Sequence, residues 1–432
     1  MSQIKSALST AVAQLEYSST ERSLVVVFAF LATLFDGADF FIFTYFLIPI
    51  AKYFGISLVS VTVIQAISYL SGIVGGLLFG TLADRWGRRI GLALTVAMYS
   101  IFTFASGFAN DFNTLLILRA LAGIGIGGES GIAFAYLNEA FHGGKNHRGL
   151  FCGAMQTMFI FGGLISALLF HFTSVVYGRE AWRWAFGYLG LVVLLAAAIL
   201  KFMPESKLWL ASRNLKKVGV PIVDIFRKGM GRTTLWATVL MTFGFFGCYA
   251  ILTFAPTLWT SAYGFSAPSV AKLLYVGNTL AIIAYLFGGW MADVLGRKNS
   301  FTLTALVGAI GYLFFLVVAV IFKLPAREAT VWTSLPFFGF VLMELGYGYF
   351  GVQGSWLSEL YPTYARTTGQ NFVYYVSRAI GAGIAPLLAL SIAVKLGFDV
   401  RMAISLGVIG SVLTMVVSRL LPETRGTELR NE

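Results

Sequence analysis

Gly80-Thr-Leu-Ala-Asp84-Arg-Trp-Gly87-Arg88-Arg89 returns later in the chain as Gly289-Trp-Met-Ala-Asp293-Val-Leu-Gly296-Arg297-Lys298. Each copy carries one acid and a basic pair, and each joins two long apolar runs. Two more echoes follow in the same order. Asn138-Glu139, with Arg148-Gly149 after it, is matched by Ser358-Glu359, with Arg366 and Gly369 after it. Pro204-Glu205-Ser206 is matched by Pro422-Glu423-Thr424. Three matches in register predict an internal duplication, with two parallel repeats facing each other across a central cavity.

Between the repeated motifs the chain is apolar. Of its 432 residues 58% are hydrophobic and 12% charged, about half the charged share of a soluble domain. Runs of about twenty apolar residues, enough to cross a bilayer, lie near 23–51, 58–82, 89–109, 112–137, 148–172, 182–203, 232–258, 267–292, 299–323, 330–357, 366–393 and 398–420. The predicted fold is an all-α membrane protein of twelve transmembrane helices in two six-helix pseudo-symmetric halves. The expected units are an N-terminus (1–22), a first bundle (23–203), a polar linker (204–231), a second bundle (232–420) and a tail (421–432). Lys and Arg concentrate in the termini and the even-to-odd connections, so the positive-inside rule expects both termini in the cytoplasm. The first span is expected to be retained, since no small-residue cleavage pattern follows it.

The net charge of +12 does not mark a nucleic-acid binder, because the basic residues sit in short patches with no continuous face for a phosphate backbone. Cys152 and Cys248 fall inside apolar runs and read as small core residues. His142, His147 and His171 are scattered at helix ends and loops, so no metal site is expected. No nucleophile–base or metal constellation points to an enzyme.

Charge within the spans is costly and should face a cavity or a partner. Six residues stand well inside: Asp36, Asp39, Arg119, Glu129, Glu344 and Arg378. Asp36 and Asp39 share one helix face. At about 1.5 Å per residue, Asp36 and Asp39 reach a height compatible with Arg119, and Asp39 is the nearer. An aspartate caught between burial and a guanidinium can load and release a proton; a static pair that glues two helices is the alternative. Glu129 ends a run containing Gly123, Gly125, Gly127 and Gly128, which permits close helix packing. It reads either as a second proton site or as an anchor. Arg378 reads either as a partner for Glu344 or as a binder of a substrate carboxylate. Polar and aromatic residues that could line a cavity are Gln156, Tyr249, Asn278, Tyr347, Gln353, Asn371, Tyr374 and Tyr375. Tyr374 shares a face with Arg378, and Tyr375 reads either as cavity lining or as lipid-facing.

The stretch Gly80–Arg89 resembles the signature of the major facilitator superfamily. Arg119-Ala-Leu-Ala-Gly-Ile-Gly-Ile-Gly-Gly-Glu129, Pro204-Glu-Ser-Lys-Leu-Trp-Leu210 and Pro422-Glu-Thr-Arg-Gly426 resemble motifs of its sugar porters and metabolite–proton symporters. Asp36-Gly-Ala-Asp39-Phe-Phe-Ile-Phe, with Ile48-Pro-Ile-Ala-Lys-Tyr-Phe-Gly55 after it, is most similar to the sialate, lactate and aromatic-acid proton symporters. One departure counts against lactate: Gly247-Cys-Tyr-Ala-Ile-Leu-Thr-Phe stands where lactate-type members carry a histidine- and glutamine-bearing motif. The resemblance implies a first-span acid working with the fourth-span Arg119. It also implies a gate latch of Asp84, Arg88, Asp293 and Arg297, with Asp84 facing the start of the eleventh span and Glu139, Arg148, Glu359 and Arg366 joining the charge network.

The expected function is secondary active transport in the plasma (inner) membrane, by a functional monomer and without a cofactor. A proton would serve as coupling ion for a small organic anion: a monocarboxylate, a sialate or an aromatic acid. The alternatives are a sugar or polyol symporter, favoured by the Pro-Glu-Ser and Pro-Glu-Thr motifs, and a non-transporting membrane sensor.

Overall fold

The computed structural model describes residues 16–141, 147–213, 221–227, 229–427 and 429; residues 1–15, His142 and 214–220 fall outside them. The first half holds α1 (Ser19–Tyr45), α2 (Leu58–Trp86), α3 (Arg88–Ser106), α4 (Phe112–Ala140), α5 (Arg148–Tyr177) and a jointed α6 (Ala181–Gly190, Val193–Phe202). The second half holds α7 (Met230–Thr257), α8 (Ala267–Leu295), α9 (Arg297–Phe315), a jointed α10 (Leu335–Leu345, Tyr349–Leu360), α11 (Arg366–Arg378, resumed at Ala385–Lys395) and α12 (Val400–Ser405, Gly407–Ser418). Among the described residues, eleven continuous helical stretches are long and apolar enough to cross a membrane. One of them, Arg148–Phe202, runs 55 residues and contains both α5 and α6, so the chain makes twelve crossings.

Local chemistry sets the ends and joints. Ser18 and Glu21 form a capping box at the start of α1, with Ser18 Oγ accepting from Glu21 N at 3.2 Å and Glu21 Oε2 accepting from Ser18 N at 2.8 Å. The expected first span of 23–51 is in fact broken at Phe46, after which the short helix Leu47–Phe54 follows. Pro49 lacks the N–H that would reach back to the carbonyl of Tyr45. In α11 the turn widens over Ala379–Ile384, directly ahead of Pro386, whose ring would crowd a regular turn.

Gly87 and Gly296 turn the chain between α2 and α3 and between α8 and α9, at φ of 116° and 93°. A Cβ at these positions would stand 2.3 Å from Glu205 Oε2 and 2.6 Å from Glu423 Oε2. Both backbone conformation and crowding therefore require glycine. Each half has its own core, built around Tyr99, Phe134, Trp182 and Phe186 in the first and around Trp259, Phe301, Tyr312 and Trp356 in the second. The periphery exposes Leu168, Val175, Leu194, Phe322 and Leu387, a surface suited to lipid.

Both described chain ends meet the linker and the latches on one face, called here the termini face. Tyr17 Oη accepts from Lys207 N at 2.9 Å, and the carbonyl of Thr427 accepts from Arg148 at 3.1 Å.

Candidate functional site

The charged interior of the first half is organised around α1. Arg119 of α4 grips Asp39 with both nitrogens, Nη1 to Oδ1 at 3.1 Å and Nη2 to Oδ2 at 2.5 Å. Thr103 of α3 also donates to Asp39 and accepts from Arg119 at 3.0 Å. The guanidinium lies over the rings of Phe43 and Phe186, 5.3 and 5.5 Å from their centroids. Asp39 is thus held bidentately, by a donor geometry that only arginine provides.

Asp36, one turn along α1 toward the termini face, is held by far less. It is 1% exposed, and its Oδ1 has no hydrogen-bond partner. Its electrostatic neighbours are Arg378 of α11, Asp39 and Ser130. Deeper still, Glu129 of α4 accepts from Thr33 and Ser130, both at 3.2 Å, and interacts with Asp36. The three carboxylates form a descending line from mid-membrane toward the termini face.

Arg378 faces this line from the second half. Its guanidinium stacks over Phe40, Tyr69 and Phe159 of the first half, at 5.0, 5.2 and 5.6 Å. Tyr249, Tyr374, Tyr69 and Asp36 are its electrostatic neighbours. Among the described residues no carboxylate stands at ion-pair distance from it, and the expected alternative of an Arg378–Glu344 pair is not realised. Arg378, Asp39 and Arg119 line a central cavity with Phe40, Gln65 and Tyr69. The cavity has room of about 30 Å³, enough for a water or two, so the halves are drawn together around it.

Several expected cavity residues have other positions. Asn371 is a clasp between the halves: its Oδ1 accepts from Gly131 N at 2.8 Å and its Nδ2 donates to the carbonyl of Gly128 at 3.1 Å. Gln353 donates to Gln156 at 3.3 Å, a second tie between halves. Glu344 and the half-buried Asn278 stand apart from the cavity wall. Tyr375, by contrast, does line the cavity and is buried rather than lipid-facing, with its hydroxyl donating to the carbonyl of Ile126 at 2.6 Å. Tyr374 and Tyr249 stay beside Arg378. Tyr347 is tied to α7 through the carbonyl of Cys248 at 3.1 Å. Sequence reasoning missed Phe40, Phe43, Gln65, Ser68, Tyr69 and Gly72 on the cavity wall. Gln65, Ser68, Tyr69 and Gly72 of α2 fall on one face at helical spacing, and that mildly polar stripe was the available signal.

At the termini face the repeated motifs meet across the halves. Asp84 accepts from the backbone of Thr367 (3.2 Å) and Thr368 (2.9 Å) at the start of α11, where the helix dipole favours a carboxylate. Arg88 joins Asp84 at 2.6 Å and Glu139 at 2.9 Å, and Arg366 joins Glu139 at 2.6 Å. The second copy repeats the plan. Asp293 accepts from the backbone of Gly149 and Leu150 at the start of α5, both at 2.9 Å. Arg297 joins Asp293 at 3.1 Å and Glu359 at 2.8 Å. Arg148 reaches Glu359 only at 3.4 Å.

The Pro-Glu motifs serve the latches. Glu205 accepts from Arg88 N at 2.8 Å, and Glu423 accepts from Arg297 N at 2.9 Å. Burial pushes Glu205 above the usual carboxylate range despite its backbone hydrogen bonds. Burial acts the same way on Glu423, but backbone N–H groups of Arg297, Arg425, Lys298 and Thr424 outweigh it and hold that carboxyl below its usual value.

Comparison with known proteins agrees with this architecture. The chain is 28% identical over 402 residues to a probable 4-methylmuconolactone transporter of Cupriavidus pinatubonensis, covering 92% of this chain and 89% of that protein. It is 29% identical over 407 residues to the cis,cis-muconate transport protein of Acinetobacter baylyi (89% and 94% covered) and 27% identical over 395 residues to the sialic acid transporter NanX of Escherichia coli (91% and 93% covered). In fold it matches the proton:xylose symporter XylE with a TM-score of 0.77 at 20% identity, over 96% of this chain and 98% of that one. Residues 29–386 match the model of the Major Facilitator Superfamily, and the chain belongs to that family.

Proposed function

We propose that the protein is a proton-coupled symporter of a small organic anion, working as a monomer by alternating access in the inner membrane with both termini cytoplasmic. The moving units are the bundles 23–203 and 232–420. The observation that carries the anion reading is Arg378: a buried cation facing the cavity with no carboxylate paired to it among the described residues, yet with Asp36 as a neighbour. Relatives named as transporters of muconate and sialic acid support the same substrate class.

Coupling follows from competition for one cation. With the cavity empty, Arg378 is the positive charge that acts on Asp36. An arriving anion sets its carboxylate against Arg378, and Asp36, deprived of its counter-charge, takes a proton. The loaded site then carries no added charge, and the latches at the termini face part. Separation withdraws Tyr375 and Asn371 from α4 and opens Glu129 to the cytoplasmic side. The proton leaves past Glu129, Arg378 again acts on Asp36, and the substrate is expelled. Asp39 has a positioning part in this scheme: Arg119 engages both of its oxygens and Thr103 donates to one of them.

The sugar alternative loses its main support, since the Pro-Glu motifs act as caps on α3 and α9. The experiment is uptake of radiolabelled benzoate, muconate, sialate and xylose into proteoliposomes under an imposed pH gradient. The proposal expects at least one carboxylate to accumulate faster with an alkaline interior; uptake of xylose alone, or indifference to the gradient, would overturn it.

A further inference from the structure

Glu344 is a charged intramembrane side chain that neither the latches nor the cavity uses. It lies in the last turn of the first rod of α10 and is 4% exposed. Among the described residues no hydrogen bond or ion pair reaches its carboxyl. Across from it, α8 presents Gly277, where an added Cβ would stand 3.4 Å from Glu344 Oε1. The polar groups facing it are Cys248 of α7, Tyr285 of α8, Tyr312 of α9 and Tyr347 of its own helix. Two of those hydroxyls are committed elsewhere: Tyr312 donates to the carbonyl of Gly247 and Tyr347 to that of Cys248. A hydroxyl has one hydrogen to give, so neither can serve Glu344. Among the described residues no arginine or lysine of α7, α8, α9 or α10 acts on it. An ionised carboxylate here would have neither donor nor counter-charge in a medium that tolerates neither lack.

The adjacent joint gives the group a way to change surroundings. Gly346–Gly348 forms a tight turn between the two rods of α10, and Gly346 packs so closely on α9 that a Cβ there would stand 2.3 Å from Gly308 Cα. A bend at this joint would carry Glu344 away from Gly277.

We propose that Glu344 is a second proton-binding site, occupied in the conformation seen here and emptied to water when α10 bends at Gly346–Gly348. This rests on the transport reading above. Carried with one monoanion and the proton on Asp36, this second proton makes each cycle move net positive charge inward, so that uptake responds to membrane potential as well as to the pH gradient.

The decisive experiment needs no substrate: infrared titration of the lipid-embedded protein, comparing wild type with Glu344→Gln. The expected result is a protonated-carboxyl band at neutral pH that is missing from E344Q and fades in the wild type as pH rises. A wild-type spectrum without that band, or a band that persists until the protein unfolds, overturns the proposal. The second readout is benzoate uptake driven by a potassium diffusion potential at equal pH. Uptake in the wild type should fall several-fold in E344Q, which keeps its response to a pH gradient; equal potential dependence in both also overturns the proposal. If benzoate is not taken up at all, the transport reading fails for that anion while the infrared result still decides this one.

Discussion

At the termini face the two halves match almost residue for residue, whereas in the membrane interior they do not. Asp84 caps α11 and Asp293 caps α5, and each receives two backbone N–H groups and an arginine four residues on. Deeper in, α1 carries Asp36 and Asp39, while α7 offers Gly247, Cys248 and Tyr249 at the corresponding depth. On the proposed function the latches open and close as a pair, which accounts for the duplication kept there. On the proposed function proton and anion meet at one place, which accounts for the divergence of the interior, with acids on α1 and α4 and, on α11, a cation with no ion-paired carboxylate among the described residues.

The largest expected effect comes from erasing that interior asymmetry. Arg378→Ala removes the proposed charge-assisted contact to a substrate carboxylate, and anion affinity should fall about 100-fold, the equivalent of about 2.7 kcal/mol, as read by calorimetric titration. Undiminished affinity would return Arg378 to a structural role. Next is Arg119→Ala, which leaves Asp39 buried without its partner. A loss of about 3–5 kcal/mol should appear as a lowered unfolding temperature in detergent, and Asp39→Asn added to it should recover part of that loss.

The latches test the symmetric side of the comparison, because the two copies are not equally tight. Arg366 and Glu139 are wholly buried, at 0% exposure and 2.6 Å, whereas the Arg148 side chain is 11% exposed and 3.4 Å from Glu359. Arg366→Ala should therefore open the termini face far more than Arg148→Ala, with costs of about 3 kcal/mol for a buried pair against about 1 kcal/mol or less for a partly wet one. Rates of cysteine labelling at the latch measure the difference, and equal rates would mean the latches are energetically identical.

The smallest effect belongs to the loop on the opposite face. Glu328 accepts from the side chains of Ser266 and Ser269 and from the backbone of Ser266, and these bonds hold it near pH 2, below its usual 4.5. A depressed carboxyl contributes stability above its unfolded value and loses it as pH falls through the folded one. Glu328→Gln should therefore match wild type in thermal stability only under strongly acid conditions, with a slight deficit at neutral pH.

Much of this was legible in the sequence. The repeated motifs gave the duplication, the family resemblance implied the contact partners at the latches, and helix rise alone placed Asp39 nearer than Asp36 to Arg119. The break at Phe46 was foreshadowed by Pro49. The positions of Asn371, Gln156 and Gln353 were not legible, because a polar side chain on an interior helix face serves a clasp as readily as a substrate. Only the approach of α11 to the glycine run of α4 separates those uses. The cavity face of α2 was overlooked for a related reason: Gln65, Ser68 and Tyr69 carry no charge and look like ordinary packing until Arg378 is seen to lie over Tyr69.

The central claim is that substrate and Asp36 compete for Arg378, and proton uptake on anion binding tests it most directly. Calorimetric titration of a transported anion in buffers of differing ionisation enthalpy counts the protons taken up. The account expects wild type and Asp39→Asn to bind a proton with the anion, and Asp36→Asn to bind the anion with about one proton fewer. Proton uptake that survives in Asp36→Asn, or that disappears in Asp39→Asn alone, would contradict it.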